Sequence, residues 1–255
     1  LWAPGGNRGL FKTTDGGQTW NAVLEVSEHT GVTGLDYDPR NPDIMYAASY
    51  QRRRHVGLLI GGGPESAIYK TSDGGKSWKK LTKGLPEVDK GRIALAVSPQ
   101  KPDVVYALVC AAGDESGFFR SADCGETWTR QSGYAVVDPQ YYGEIYPDPR
   151  QHDRVYAMDS TIHVTEDGGK KFQPVPWRIH VDNHALVFDP ADANHLLVGN
   201  DGGLYESYDH GETWRHFTNL PTSQFYRVTP DNARPFYNVG GGTQDNGSMA
   251  GPSRT

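Results

Sequence analysis

One short phrase occurs five times along these 255 residues and limits what the chain can fold into. An aromatic or aliphatic pair and a basic or small residue lead into Ser/Thr-x-Asp-x-Gly-x-Thr-Trp or a near variant. The first copy reads Leu10-Phe11-Lys12-Thr13-Thr14-Asp15-Gly16-Gly17-Gln18-Thr19-Trp20. The others run from Tyr69 to Trp78, Phe119 to Trp128, Val164 to Phe172 and Tyr205 to Trp214. Their aspartates, Asp15, Asp73, Asp123, Asp167 and Asp209, are 58, 50, 44 and 42 residues apart. Self-similarity at such a period signals a repeat architecture.

A second phrase recurs upstream of the acidic turn. It is an alternating strand, a Pro turn with Asp or Asn, and a strand ending in Tyr-Ala or an equivalent. Gly34 to Asp38, Pro39 and Ile44 to Ala47 form one example; Ala94 to Ser98, Pro99 and Val104 to Ala107 form another. It returns around Pro149, Pro190 and Pro230. Short β-branched and aromatic runs punctuated by Pro, Asn, Asp and Gly are strand and turn signals. Each unit therefore supplies two strands joined by a Pro turn and two joined by the acidic turn. The expected fold is an all-β propeller of four-stranded antiparallel blades. The pattern divides into half a blade in 1–24, four whole blades across 31–220 and half a blade in 224–249.

The acidic turn has a mechanical reading. Asp accepts hydrogen bonds from nearby backbone N–H groups, and Gly supplies positive φ. The terminal Trp, replaced by Phe172 in the fourth copy, is expected to pack between neighbouring blades. A turn repeated in every unit supports the scaffold, whereas an active site occurs once. The five aspartates are thus read as structural and not as a calcium or catalytic set.

These phrases resemble the BNR (Asp-box) repeat of sialidases, sortilin-type propellers and xyloglucanase-like glycoside hydrolases. Arg8 to Gly17, Val198-Gly199-Asn200-Asp201-Gly202-Gly203 and Thr243-Gln244-Asp245-Asn246-Gly247-Ser248 are similar to bacterial secreted proteins with sortilin-like (Vps10-type) propellers, often labelled glycosyl hydrolases. The resemblance implies longer chains with more blades, hence an excerpt of a larger propeller; closure of the two half blades into a five-blade ring is the alternative. It also implies an extracellular or periplasmic location. For activity it is weak, because the repeat occurs in binding proteins and enzymes alike.

Charged residues make up 22% of the chain and the net charge is −6, which argues against a nucleic-acid partner needing a basic face. No apolar run approaches the roughly 20 residues of a membrane span. Cys110 and Cys124 are the only cysteines and are read as a free, buried pair.

Alternating turns define two faces. Pro turns and acidic turns share one; the connections between second and third strands, and between units, share the other and vary in length. Function on rigid scaffolds tends to live in such variable loops. Gln51-Arg52-Arg53-Arg54-His55 runs on toward Gly61-Gly62-Gly63-Pro64, a long insertion whose Arg53 and Arg54 could clamp a carboxylate or phosphate or simply be solvated. Tyr141 and Tyr142, beside Glu144, could stack on sugars or pack in the core.

The segment Trp177 to His184 carries the sharpest signal. If it is extended, His180, Asp182 and His184 share one face, as for a divalent metal or an acid/base site. Hydrogen bonding that ties a loop to the next blade is the plainer use. Asn200-Asp201 and Gln244-Asp245-Asn246 both follow a second strand, so they are expected to meet this segment at the mouth of a central channel. Asp201 with Asp245, or either with Glu144, could form a glycosidase pair, with Asp182 a further candidate. The sialidase Arg-Ile-Pro motif is absent; Arg92-Ile93-Ala94 is a partial echo. Three functions follow: binding of a carbohydrate or peptide on the variable face, glycoside hydrolysis there, or a structural assembly module with a protein partner or further propeller sequence.

Overall fold

The computed structural model describes residues 3–176, 179–192, 194–220 and 223–254. The chain divides into two compact units, Leu1–Val175 and Pro176–Thr255. All described regular structure is strand. Among the described residues no helix is long and apolar enough to cross a membrane.

The first unit begins with a two-stranded sheet, Leu10–Lys12 with Asn21–Leu24. Three antiparallel four-stranded sheets follow, each with its strands in sequence order. They comprise Thr30–Asp38, Asn41–Gln51, Ile68–Thr71 and Lys79–Leu81; then Lys90–Val97, Val105–Ala111, Gly117–Ser121 and Thr129–Ser132; then Ile145–Pro147, Val155–Met158, Ile162–Thr165 and Gln173–Pro174. The insertion after Gln51 is not a loop but a hairpin of its own, Arg53–His55 with Leu58–Ile60. The second unit holds a fourth such sheet, Asn183–Phe188, Leu196–Asn200, Gly203–Ser207 and Arg215–His216. It ends with a three-stranded sheet, Phe225–Pro230, Asn238–Thr243 and Ser248–Pro252.

Both recurrent phrases form turns closed by a side chain. In all five acidic turns the opening Ser or Thr hydroxyl donates to the Asp Oδ1 at 2.7–2.8 Å. The amide four residues beyond the Asp donates to the same oxygen at 2.8–3.1 Å. Four turns add a hydroxyl bond to Oδ2 from Thr19, Ser77, Thr127 or Thr213. The fourth turn has Lys171 there and uses backbone amides alone. Four Pro turns are built alike, with Asp38, Asp148, Asp189 and Asp231 each accepting the amide two residues on, while Ser98 accepts the Lys101 amide in the fifth.

Strand alternation then sets the packing. Within the second sheet, Ile93, Val97, Val105, Ala107, Val109 and Phe119 join Tyr46, Ile68 and Leu81 of the sheet before it. Their neighbours Ala96, Val104, Tyr106, Leu108 and Phe118 join Ile145, Val155 and Ala157 of the sheet after it. Successive residues point to opposite faces, so the sheet is buried on both. Each fully buried aliphatic side chain contributes about 1.5–3 kcal/mol.

In two of the Tyr-Ala phrases the Tyr reaches across to the following sheet. The Tyr46 hydroxyl donates to the Cys124 carbonyl at 2.9 Å, and that of Tyr106 to Asp153 Oδ1 at 3.2 Å. Burial pushes the Tyr106 phenol up to about 12. The turn aromatics are less uniform than expected. Trp128 is buried in the core and Phe172 stacks on Tyr134 at 3.9 Å. Trp20, just before the second strand of the two-stranded sheet, is 60% exposed. Cys110 and Cys124 are free, and each is half-buried rather than buried.

The turn bonds hold the carboxyls in their ionised form. The Thr19 hydroxyl, then the Thr19 amide and the Thr13 hydroxyl, bring Asp15 from 3.8 down to about 2. The Ser77 hydroxyl and amide lower Asp73 further still. A depressed folded pKa adds stability that is present above the unfolded value and lost as pH falls through the folded one. Asp73→Ala is therefore expected to lower the melting temperature by several degrees at neutral pH. The gap from the parent should narrow below about pH 4, as the parent loses the same bonds. Thermal melts across an acid series read this directly; a gap that stays constant with pH would contradict it.

Candidate functional site

The second unit gathers the polar residues of three connections into one place. Asp201 lies in the turn between Leu196–Asn200 and Gly203–Ser207, and Asp245 in the corresponding turn after Asn238–Thr243. Asp182 directly precedes the strand that starts at Asn183. Taking one oxygen from each, Asp182, Asp201 and Asp245 lie within 4.8 Å of one another. His184 Nε2 is 3.2 Å from Asp201 Oδ1, and His180 Nε2 lies 3.4 Å from the Asp245 carbonyl.

The route to this convergence differs from simple alternation. Asp182 has φ +66°, so the segment bends before the strand begins and His180, Asp182 and His184 do not form an extended row. Asp245 is also left-handed, at φ +56°. Asp is among the residues that tolerate this region. Trp177 and Arg178 of the same segment lie outside the described residues.

Side-chain amides knit the connections together. Asn200 Nδ2 donates to the His180 carbonyl at 2.9 Å and to Asn183 Oδ1 at 3.3 Å. Asn246 Nδ2 donates to the Asp201 carbonyl at 2.7 Å and to the Gln244 carbonyl at 2.9 Å. Gly202 is required by close approach: a Cβ there would sit 2.3 Å from the His180 Cβ. Beside these turns opens a groove of about 690 Å³. Asn200, Asp201, Gln224, Gln244, Asn246 and His216 are among its lining residues.

This set can act in two ways. Three carboxylates at such spacing offer an all-oxygen donor set, which suits a hard divalent cation such as Ca²⁺ better than a soft one. The groove itself presents amide, carboxylate and imidazole groups, each able to bond hydroxyls or backbone groups of a ligand.

Candidates in the first unit are arranged differently. Glu144 is ion-paired with Arg92, so it is not an isolated acid waiting for a carboxylate partner. Arg54 Nη1 donates to the Tyr141 hydroxyl at 3.0 Å, Arg53 bonds His29, and the Tyr141 and Tyr142 rings are 6.3 Å apart. His216 and Gln224 were not among the sequence candidates. His216 stacks on Tyr205 at 4.5 Å and bonds the Gly202 carbonyl at 3.1 Å. Its place, two residues past the Trp of an acidic turn, would have been the only signal for it.

Comparison with known proteins bears on this arrangement. The Sortilin-Vps10 family model, described as sortilin, neurotensin receptor 3, matches residues 116–234. An oligoxyloglucan-reducing end-specific xyloglucanase of Emericella nidulans is 25% identical, over 89% of this chain and 32% of that protein. The photosystem II assembly lipoprotein Ycf48 of Picosynechococcus sp. is 27% identical, over 89% of this chain and 74% of that protein. The crystal structure of a GH74 xyloglucanase from Xanthomonas campestris superposes with a TM-score of 0.62 at 16% identity, over 96% of this chain and 41% of that one. The chain spans about a third of the length of the xyloglucanase from Emericella. It is all-β, its structural neighbours are propellers, and it resembles Vps10-type propellers and their glycosyl hydrolase relatives.

The packing of Gly202 against His180 gives a test that leaves every carboxylate in place. Gly202→Ala is expected to displace the imidazole and cost about 1–3 kcal/mol of stability. The His180 ring signals in an NMR spectrum should move, with those of His29 and His152 unchanged. Unmoved His180 signals would show that the contact is not present.

Proposed function

We propose that this chain is a BNR-type propeller module, exported from the cytoplasm, that binds a carbohydrate in the groove of its second unit. The four-stranded sheets are its blades and the five acidic turns its Asp boxes. Residues 1–24 and 224–249 belong to blades shared with each other or with further sequence. The sheet ending at Pro252 exposes Phe225, Tyr226, Val228 and Met249, where the second four-stranded sheet of the first unit is covered on both faces by neighbours; that contrast supports a propeller of more blades. Kinship with a lipoprotein supports export.

The observation that carries the ligand class is the groove lining. Side-chain amides from Asn200, Gln224, Gln244 and Asn246 and the Asp201 carboxylate offer both donors and acceptors, as sugar hydroxyls require. The xyloglucanase relatives favour the same class. A peptide could use the same groups, and competition between the two classes is an arm of the test.

Hydrolysis is the second reading, favoured by those relatives and by the clustered carboxylates. An inverting mechanism needs carboxyl groups about 6.5–9.5 Å apart to admit a water. One oxygen from each of Asp182, Asp201 and Asp245 falls within 4.8 Å of the others, nearer the retaining spacing of about 5–5.5 Å. The Asp201 and Asp245 carbonyls are bonded to Asn246 and His180, which suits a fixed binding surface better than a mobile acid.

Calorimetric titration with xyloglucan oligosaccharides, with and without Ca²⁺, tests the proposal. Saturable binding is expected, without release of reducing ends. Asp201→Ala combined with Gln244→Ala, both in the groove lining, should weaken it at least about tenfold, since hydrogen bonds to charged groups carry about 1.5–3 kcal/mol each. The melting temperature should change little. Binding of peptides but not oligosaccharides, or full binding by the double variant, would overturn the assignment; turnover lost with Asp201→Asn would establish the hydrolase instead.

A further inference from the structure

The hairpin inserted after Gln51 is the least protected apolar element of the first unit. Its register pairs Arg53 with Ile60, Arg54 with Leu59 and His55 with Leu58, around a Val56-Gly57 turn in which Gly57 has φ +76°. Directly opposed residues share a face. Leu59 therefore projects with Arg54 on one side, and Leu58 and Ile60 project with Arg53 and His55 on the other. All are open to solvent: Val56 is 93% exposed, Leu58 50%, Leu59 44% and Ile60 38%. Adjacent exposed aliphatic residues on both faces of one hairpin are not explained by the fold, because neither face packs on a core.

The base of the hairpin is strongly basic. Arg52 bonds Gln140, Arg53 bonds His29 and Arg54 bonds Tyr141. Among the described residues no carboxylate pairs with any of the three guanidinium groups. Nearby acids are engaged elsewhere: Glu65 accepts the Ser27 and Thr30 hydroxyls, and Glu28 lies against His29. Three uncompensated cations thus sit below an aliphatic tip, on a chain whose net charge is −6. Tyr141, itself exposed, stands beside Arg54.

We propose that this hairpin docks the protein on an anionic lipid surface, with Val56, Leu58, Leu59 and Ile60 entering the headgroup and acyl boundary. The three arginines then meet lipid phosphates and Tyr141 lies at the interface. The choice of a bilayer over a protein partner rests on the two-sided exposure. A protein surface covers one face of a hairpin, whereas immersion in a fluid apolar medium covers both. Aliphatic burial combined with basic attraction is the pairing that reversible membrane association requires. The hairpin's strands bond each other, so its inward-facing backbone groups remain satisfied on insertion.

Cosedimentation of the whole chain with vesicles tests this. Vesicles of phosphatidylcholine and phosphatidylglycerol in equal parts should retain the protein, and pure phosphatidylcholine should not. Val56→Asp with Leu59→Asp should abolish retention. Arg53→Gln and Arg54→Gln should each weaken it about fivefold at low salt. None of these changes should alter the melting temperature, because the hairpin lies outside both cores. A Val56→Trp protein, which keeps the apolar tip, should shift its emission to the blue on the anionic vesicles alone. Failure to bind anionic vesicles, equal binding to both kinds, or a Val56→Trp emission that does not shift would overturn the proposal. So would self-association of the parent that is lost in the Asp variants without any vesicle binding.

Discussion

The contact on which the first unit depends is that of an aromatic ring against a glycine. Phe118 lies so close to Gly169, in the acidic turn of the next sheet, that a Cβ there would be 2.0 Å from the ring. Tyr46 and Leu81 approach Gly125 in the same way, at 3.0 and 3.1 Å. Both glycines have positive φ, at +99° and +83°. The turn needs glycine for its backbone, and the preceding sheet uses the missing side chain as a seat. The Asp that closes the turn therefore fixes a packing surface as well as a loop.

This coupling explains why the two sides of each sheet have different work. Turns that seat a neighbour's aromatic ring have little freedom to vary. Among the described residues the glycines in the connections at the other ends of the strands seat no aromatic ring of a neighbouring sheet. There the chain places the hairpin in the first unit and the Asp182, Asp201 and Asp245 cluster in the second. Polar bonding holds that cluster, with Asn200, Asn246 and His180 tying one connection to another.

The repeat was legible because its residues are local. Asp, Gly and hydroxyl positions within seven residues determine the turn, and the Tyr-Ala phrase marks the buried strand whatever surrounds it. The meeting of Asp201 with Asp245 was also legible, since both follow a second strand. Other features depend on partners far along the chain. Glu144 reads as a spare carboxylate until Arg92 is seen beside it. Alternation suggested an extended row from His180 to His184, but the left-handed Asp182 interrupts it. The strand Ser248–Pro252 was hidden by its Gly-Pro ending. Trp128 is covered by the sheet before its own, whereas Trp20 is exposed, a difference that no property of the turn itself reveals.

That the turns and the sheet packing form one structural system is the claim most open to direct measurement. Chemical denaturation of Gly169→Ala tests it, because the substitution leaves every hydrogen-bonding side chain of the turn intact. Overpacking against Phe118 and the positive φ together should cost about 2–4 kcal/mol, lowering the denaturation midpoint of the whole first unit. An unchanged midpoint would mean that the ring and the turn are independent, and the structural role given to the repeat would fail.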